Sequence, residues 1–203
     1  MSKGESTRQR IVAQAAPVFN QKGYAGTALS DLMKATGLEK GGIYRHFSGK
    51  QELAEDAFDH AWNAVTRARL AGVYEIPNAV DRLKRFVANF RDRRTAPVPG
   101  GCPLMNTAVE ADDSNPALRA KARNALDAWL DRLKSIIDEG KRRGEVASHI
   151  NSAHLASLIV GTLEGAVLLS RIKKAAEPRE VACAHLTAYL DENVRAKKRQ
   201  AAG

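Results

Sequence analysis

The chain has 203 residues and a formal charge of +9, from 32 lysines and arginines against 23 aspartates and glutamates. That length can bury a full core, as one all-helical domain or as a small domain on a larger one, and the basic excess favours a polyanionic partner such as nucleic acid. Two cysteines, Cys102 and Cys183, are too few for a disulfide framework or a zinc site of ordinary spacing and fit a reducing compartment.

Alternating β-branched runs are lacking, while Ala, Leu, Lys, Arg and Glu recur at helical spacing, which predicts an all-α fold of nine or so helices. The first runs from about Ser6 to Gln21, with Ile11, Ala15, Val18 and Phe19 on one stripe, an expected kink at Pro17 and a left-handed stop at Gly23. Short helices near Leu29–Thr36 and Lys40–Phe47 follow, then a long one from Lys50 to Leu70 whose Leu53, Ala57, Phe58, Ala61, Trp62 and Val65 repeat every three or four residues. Pro77 and the proline- and glycine-rich stretch from Ala96 to Pro103 bracket a helix near Val80–Arg91. Further helices are expected near Leu104–Ala111, Pro116–Arg143, Ser152–Lys174 and Pro178–Arg195, with Asn115-Pro116 and Glu177-Pro178 as cap-then-proline starts. The tail residues Arg195, Lys197, Lys198 and Arg199 read as a frayed, solvated terminus. The longest apolar run, Leu155–Leu169, is broken by Ser157, Thr162 and Glu164 and is read as too short to span a bilayer. With no apolar leader after Met1, a soluble cytoplasmic protein with no membrane partner is expected.

Charge is concentrated at the front. Through residue 50 the bases Lys3, Arg8, Arg10, Lys22, Lys34, Lys40, Arg45 and Lys50 face only Glu5, Asp31 and Glu39. In the same region Thr27 is placed to cap the helix that follows, with Leu29, Leu32 and Met33 inward. Gly37 permits a tight turn, Leu38 buries beneath it, and Ile43 and Phe47 anchor the next helix on one core. Lys40, Tyr44, Arg45 and His46 are left facing out, and Gly41 and Gly42 clear the start of that helix for close approach to base edges. A helical hairpin with a solvated basic face is the plainer alternative for any of these residues taken singly, and for Tyr44 a hydroxyl at the core edge.

Taken in order, Gly23, Tyr24, Thr27, Asp31, Leu32, Gly37, Lys40, Gly41, Tyr44, His46, Phe47, Lys50 and Leu53 resemble the signature of the TetR-family DNA-binding domain. The resemblance implies an N-terminal three-helix helix-turn-helix domain, residues 1–49, and a C-terminal helical bundle for ligand binding and dimerisation, residues 50–203. It implies that Thr27, Lys40, Tyr44 and Lys50 hold phosphates and that Gly42, Arg45 and His46 lie where bases are read, with Gly41 beside them among the DNA-binding residues. Glu39 departs from the serine or threonine frequent at its position; its carboxylate still suits a cap of the recognition helix, but it tolerates nearby phosphate poorly and no DNA contact is expected of it. Gly42 replaces the commoner threonine, which removes a base contact through that side chain.

The same resemblance implies a homodimer through the last two helices, reading a palindromic double-stranded operator at half-sites roughly 34 Å apart. Leu155, Leu158, Ile159, Leu163, Val167 and Leu168 form a stripe too broad for one lone face, and Gly161 and Gly165 allow close helix approach, although an intrachain core is the alternative. Candidate effector-binding residues are Phe58, Trp62, Phe86, Phe90 and Trp129, with Leu133, each of which ordinary core packing also explains, and the polar pair Glu164 and Asn106. The run Gly100-Gly101-Cys102-Pro103-Leu104-Met105-Asn106 resembles a segment of one family branch, some of whose members respond to electrophiles or oxidants. Cys102 is therefore either a sensing thiol at a helix start or a small buried hydrophobe; Cys183 reads as packing.

The expected function is a sequence-specific transcription repressor released from DNA by a small-molecule or electrophilic effector. No enzyme is expected, since no Ser-His-Asp order, phosphate-cradling glycine loop or metal-binding helix motif occurs. No metal or cofactor is assigned: His149 and His154 are five apart and His185 is distant.

Overall fold

The computed structural model describes residues 3–91 and 97–197. Among these the fold is all-α: α1 (Lys3–Gly26), α2 (Leu29–Thr36), α3 (Lys40–Tyr44), α4 (Lys50–Leu70), α5 (Ala79–Ala88), α6 (Pro103–Ala111), α7 (Pro116–Arg142), α8 (Ser152–Lys173) and α9 (Glu177–Tyr189), which runs on as a π-helical turn, Leu190–Val194. The only β pairing among the described residues is an isolated bridge between Val146 and Arg195.

The chain forms two compact units. The first comprises Met1–Arg67 and Ala96–Leu126, the second Ala68–Thr95 and Asp127–Gly203. Compactness thus groups the chain differently from the expected division at residue 49/50.

In the first unit, Ile11, Val12 and Ala15 of α1, Leu32 of α2, Ile43 of α3, Phe47 in the turn after it, and Leu53 of α4 make one buried cluster, with Val18, Phe19, Leu29, Met33, Leu38 and Tyr44 half-buried around it. The helical period puts these positions on the inner face of each element. The kink expected at Pro17 is not where the helix breaks: the dihedrals stay helical through Pro17 and leave that region at Gly23 (φ 75°, ψ 172°). Ala13, whose carbonyl loses a partner to the proline ring, lies on the exposed side, while the geometry at Gly23 is open only to a residue without a Cβ.

A second cluster of this unit joins Phe58, Cys102, Leu104, Ala122 and Ala125, with Trp62, Met105, Ala108 and Leu126 against it. Cys102 is the N-cap of α6, with Pro103 as the first helical residue. Asn115 caps α7 by accepting from Leu118 N (3.1 Å). At α9, however, the cap is Ala176 and Glu177 is already helical, so of the two expected cap-then-proline starts Asn115-Pro116 holds and Glu177-Pro178 does not.

In the second unit Phe86 and Phe90 each pack edge-on to Trp129 and are tilted against one another, with ring centroids 5.3–5.9 Å apart. Asn78 and Asn151 cap α5 and α8 through their side-chain oxygens. Arg195 is not part of a frayed tail. Its guanidinium bonds Asp81 (2.5 Å) and Asp191 (2.9 Å), and its backbone pairs with Val146; Lys198 and Arg199 lie outside the described residues. Helix α8 has 22 residues with a mean hydropathy of 1.6 over its most apolar stretch, so by length and composition it could cross a membrane. The shorter run read from the sequence understated it. One face is buried, from Leu155 through Ile159 and Leu163 to Ser170, and α9 packs beside it.

Candidate nucleic-acid interface

The turn into α3 begins at Gly37, which closes α2 in the left-handed region (φ 66°, ψ 20°) with its N–H bonded to the Met33 carbonyl at 2.9 Å. Thr36 is buried; its hydroxyl donates back to Leu32 O and accepts from Leu38 N, so this turn has no spare buried polar group. Ile43 (0% exposed) and Phe47 (3%) fasten α3 to the core. With that face spent, Lys40, Gly41 and Arg45 are exposed and Gly42, Tyr44, His46 and Lys50 are half-buried. A Cβ at Gly41 would meet nothing within 4 Å, and one at Gly42 would touch only Leu38. The backbone at the start of α3 is therefore open to close approach.

Three local expectations are corrected. Helix α3 ends at Tyr44 rather than Phe47, because Arg45 N and His46 N bond back to Gly41 O and Ile43 O in a tightening turn. Thr27 does not cap α2. Its hydroxyl donates to Gly23 O at 2.5 Å, the residue is 1% exposed, and Ala28 is the N-cap. Asp31 serves the cap instead, accepting from Ala28 N (3.0 Å) while pairing with Lys22 (2.5 Å). The Lys22 bond, helped by the Ala28 N–H, holds the Asp31 carboxyl below its ordinary value. Glu39 takes the N-cap position of α3 without a side-chain cap bond.

Lys50 places its ammonium over the Tyr24 ring, 4.5 Å from the centroid, and Tyr24 stacks on Phe19. Sequence spacing missed Arg8, which ties three elements together. It lies over the Phe47 ring at 4.7 Å, donates to His46 O (3.3 Å), and pairs with Glu52 (2.6 Å) and Asp56 (2.5 Å). Glu52 also accepts from Ser48 N (2.7 Å) and Ser48 Oγ (2.8 Å). Those Ser48 bonds first, and Arg8 after them, hold the Glu52 carboxyl down to about 2. No local pattern links positions 8, 46 and 52; only the fold does.

A short helix set on a left-handed glycine turn, carrying exposed cations around two glycines, is the working face of a helix-turn-helix. Residues 11–57 match the family described as bacterial regulatory proteins, tetR family, and residues 79–186 match the tetracyclin repressor-like C-terminal domain. The chain belongs to the TetR family. A TetR transcriptional regulator from Chloroflexus aurantiacus is 46% identical, with 97% of this chain and 100% of that one covered and a TM-score of 0.92. A TetR-family regulator from Cytophaga hutchinsonii is 36% identical, covering 98% and 99%, with a TM-score of 0.91. The HTH-type transcriptional repressor DhaR of Mycobacterium sp. (strain GP1) is 24% identical over 173 residues, 84% of this chain and 85% of that one. This TetR chain is a DNA-binding transcription regulator.

The effector candidates of this TetR protein fall into two groups. Phe58, Trp62, Cys102 and Asn106 belong to the first unit. There Phe58 and Asn106 line a cavity of about 30 Å³ with Phe19, Asn20, Tyr24 and Glu110, room for a water or two. Cys102 is 8% exposed among Phe58, Leu104 and Ala122. Phe86, Phe90, Trp129 and Glu164 belong to the second unit, the three aromatics packed on one another and Glu164 4% exposed on the inner face of α8; Leu133 is 1% exposed. Cys183 is 1% exposed with its thiol donating to Val87 O, and burial pushes that thiol up in spite of the Arg91, Arg179 and Arg69 charges.

Proposed function

We propose that the chain is a homodimeric repressor whose residues 1–49 read a palindromic operator and whose residues 50–203 dimerise and take a small-molecule effector that ends DNA binding. The observation that carries the reading is the α3 face: exposed Lys40 and Arg45 beside Gly41 and Gly42, fixed from beneath by buried Ile43 and Phe47. In this reading Lys40, Tyr44 and Lys50 hold phosphates, Lys50 by turning off the Tyr24 ring. Thr27 acts through its backbone, since its hydroxyl is committed to Gly23. Gly41, Gly42, Arg45 and His46 meet base edges. DhaR, named a repressor, supports the direction of control.

Dimerisation is supported by a stripe on α8 that the fold of one chain leaves uncovered. Leu158, Leu168 and Ile172 are 48%, 50% and 70% exposed, and Gly161 and Gly165 between them have open space where a Cβ would stand. The spacing 158, 161, 165, 168, 172 is that of a helix-packing seam, and Leu169 and exposed Val181 of α9 widen it. A cytoplasmic, soluble dimer covers this apolar face with its own copy. The effector enters among Phe58, Trp62, Cys102 and Asn106 or among Phe86, Phe90, Trp129 and Glu164, and it must bind the DNA-free state more tightly than the DNA-bound one.

Selection from a randomised duplex library tests the reading. The wild type should enrich a palindrome and bind it about 10³-fold or more over scrambled duplex at fixed salt. Equal binding to both duplexes would make the protein a nonspecific DNA binder and end the operator reading.

A further inference from the structure

Glu110 sits half-buried on α6, yet its carboxylate reaches the exit of α1. Oε2 accepts from Tyr24 N at 2.7 Å and Oε1 from Ala25 N at 2.8 Å. These are the two residues after Gly23, where the helical dihedrals break. A Cβ built on Gly23 would stand 2.5 Å from Glu110 Oε2 and 2.6 Å from Oε1. Gly23 is therefore demanded twice, by its positive φ and by the carboxylate seated against it. One helical turn earlier on the same face of α6, Asn106 donates to Asn20 O (2.9 Å), Asn20 Oδ1 (3.0 Å) and Gly100 O (2.9 Å). Asn20, 9% exposed, donates in turn to Pro99 O and Gly101 O. A single face of α6 thus grips both the last turn of α1 and the chain leaving it, four residues before α2 begins.

We propose that Glu110 is a positioning residue for DNA binding: its two-oxygen clamp on the Tyr24 and Ala25 N–H groups fixes the direction in which α2 and α3 are presented to the duplex. The proposal rests on the reading that the α3 face meets DNA. A carboxylate suits the task because both oxygens accept and its charge strengthens each bond. A glutamine offers one acceptor and turns an NH₂ toward the other N–H, so one bond is lost and a donor faces a donor.

The test uses the full-length protein and a fluorescein-labelled duplex carrying the palindrome that the wild type selects. Glu110→Gln should bind it about tenfold more weakly. Amide exchange in the peptide spanning residues 23–27 should rise while the unfolding midpoint stays within a few degrees of wild type. Gly23→Ala, whose methyl expels the carboxylate, and Glu110→Ala should each lose affinity too, and the loss in Glu110→Ala/Gly23→Ala should fall well short of the sum of those two single losses. Additive losses would overturn the proposal, as would wild-type affinity and exchange in Glu110→Gln, or exchange raised throughout the chain together with a lowered midpoint. A wild type that selects no palindrome overturns the DNA reading and this proposal together. One that selects a palindrome which Glu110→Gln binds equally overturns this proposal alone.

Discussion

Gly23 and Gly37 both stand at positive φ in the helix-turn-helix, and replacing each by alanine should cost very different amounts. At Gly37 (φ 66°, ψ 20°) a Cβ meets nothing within 4 Å, so only the left-handed backbone is penalised. That penalty is about 1–2 kcal/mol, partly offset by the stiffer unfolded chain, which returns about 0.4–1 kcal/mol. A net loss of about 1 kcal/mol follows, and Gly37→Asn should lose about half of it because Asn tolerates this region. At Gly23 (φ 75°, ψ 172°) the backbone lies in a region that is nearly glycine-only, costing about 1–3 kcal/mol. The methyl also drives Glu110 off two N–H groups, and hydrogen bonds to a charged group are worth about 1.5–3 kcal/mol each when buried, less at this half-exposed site. Gly23→Ala should therefore lose about 3 kcal/mol or more. In a Glu110→Ala background only the backbone part, about 2 kcal/mol, should remain. Urea unfolding followed by circular dichroism at one protein concentration measures all five variants, Glu110→Ala included. Equal losses at the two glycines, or a Glu110→Ala background that leaves the Gly23→Ala loss unchanged, would refute the reasoning.

Lys40→Ala should weaken binding to selected and scrambled duplexes alike and lower the slope of log K against log salt by about 1, whereas Arg45→Ala should also flatten the ranking of operator variants; titrations at several salt concentrations separate the two. Leu168→Glu, on the uncovered α8 stripe, should convert the proposed dimer to monomer by light scattering at micromolar concentration without unfolding it, since residue 168 is half-exposed within one chain. Because the folded Glu52 carboxyl is held at about 2, against an ordinary 4.5, its stabilisation is complete above about pH 4.5 and is lost as pH falls toward 2. Glu52→Gln should flatten that part of the stability profile measured by urea unfolding between pH 2 and 6. Cys183, raised by burial, should resist iodoacetamide at pH 8 in the folded protein and react at once in urea, as read by mass spectrometry.

The helix spans were legible because their determinants are local. Apolar spacing of three and four residues and the Asn115-Pro116 start placed most ends within a residue or two of where they lie. The failures are just as specific. Proline inside α1 signalled a kink at Pro17, whereas the helical dihedrals break at Gly23, and Thr27 looked like a cap because nothing in the sequence says that Gly23 turns its carbonyl toward that hydroxyl. The exposed half of the α3 face was readable from Ile43 and Phe47 four apart, since burying those two dictates which neighbours are left outside.

Contacts across 44 or 86 positions leave no spacing to read, which is why Arg8 with Glu52 and Glu110 with Tyr24 emerged only from the fold. They change what a signature residue means. Gly23 and Asp31 belong to the pattern by which the DNA-binding domain is recognised, yet neither offers a side chain to DNA here. Asp31 holds Lys22 and the first N–H of α2, and Gly23 makes room for a carboxylate carried on α6. A motif assembled by resemblance therefore mixes residues whose side chains are free to meet a duplex with residues whose polar atoms are spent inside the fold. The physical criterion that separates them is whether the polar atoms are already committed: Thr27 and Asp31 are, whereas the side chains of Lys40 and Arg45 extend from an exposed face. On that criterion the sequence preference of this regulator should follow α3, and its affinity should depend equally on α6.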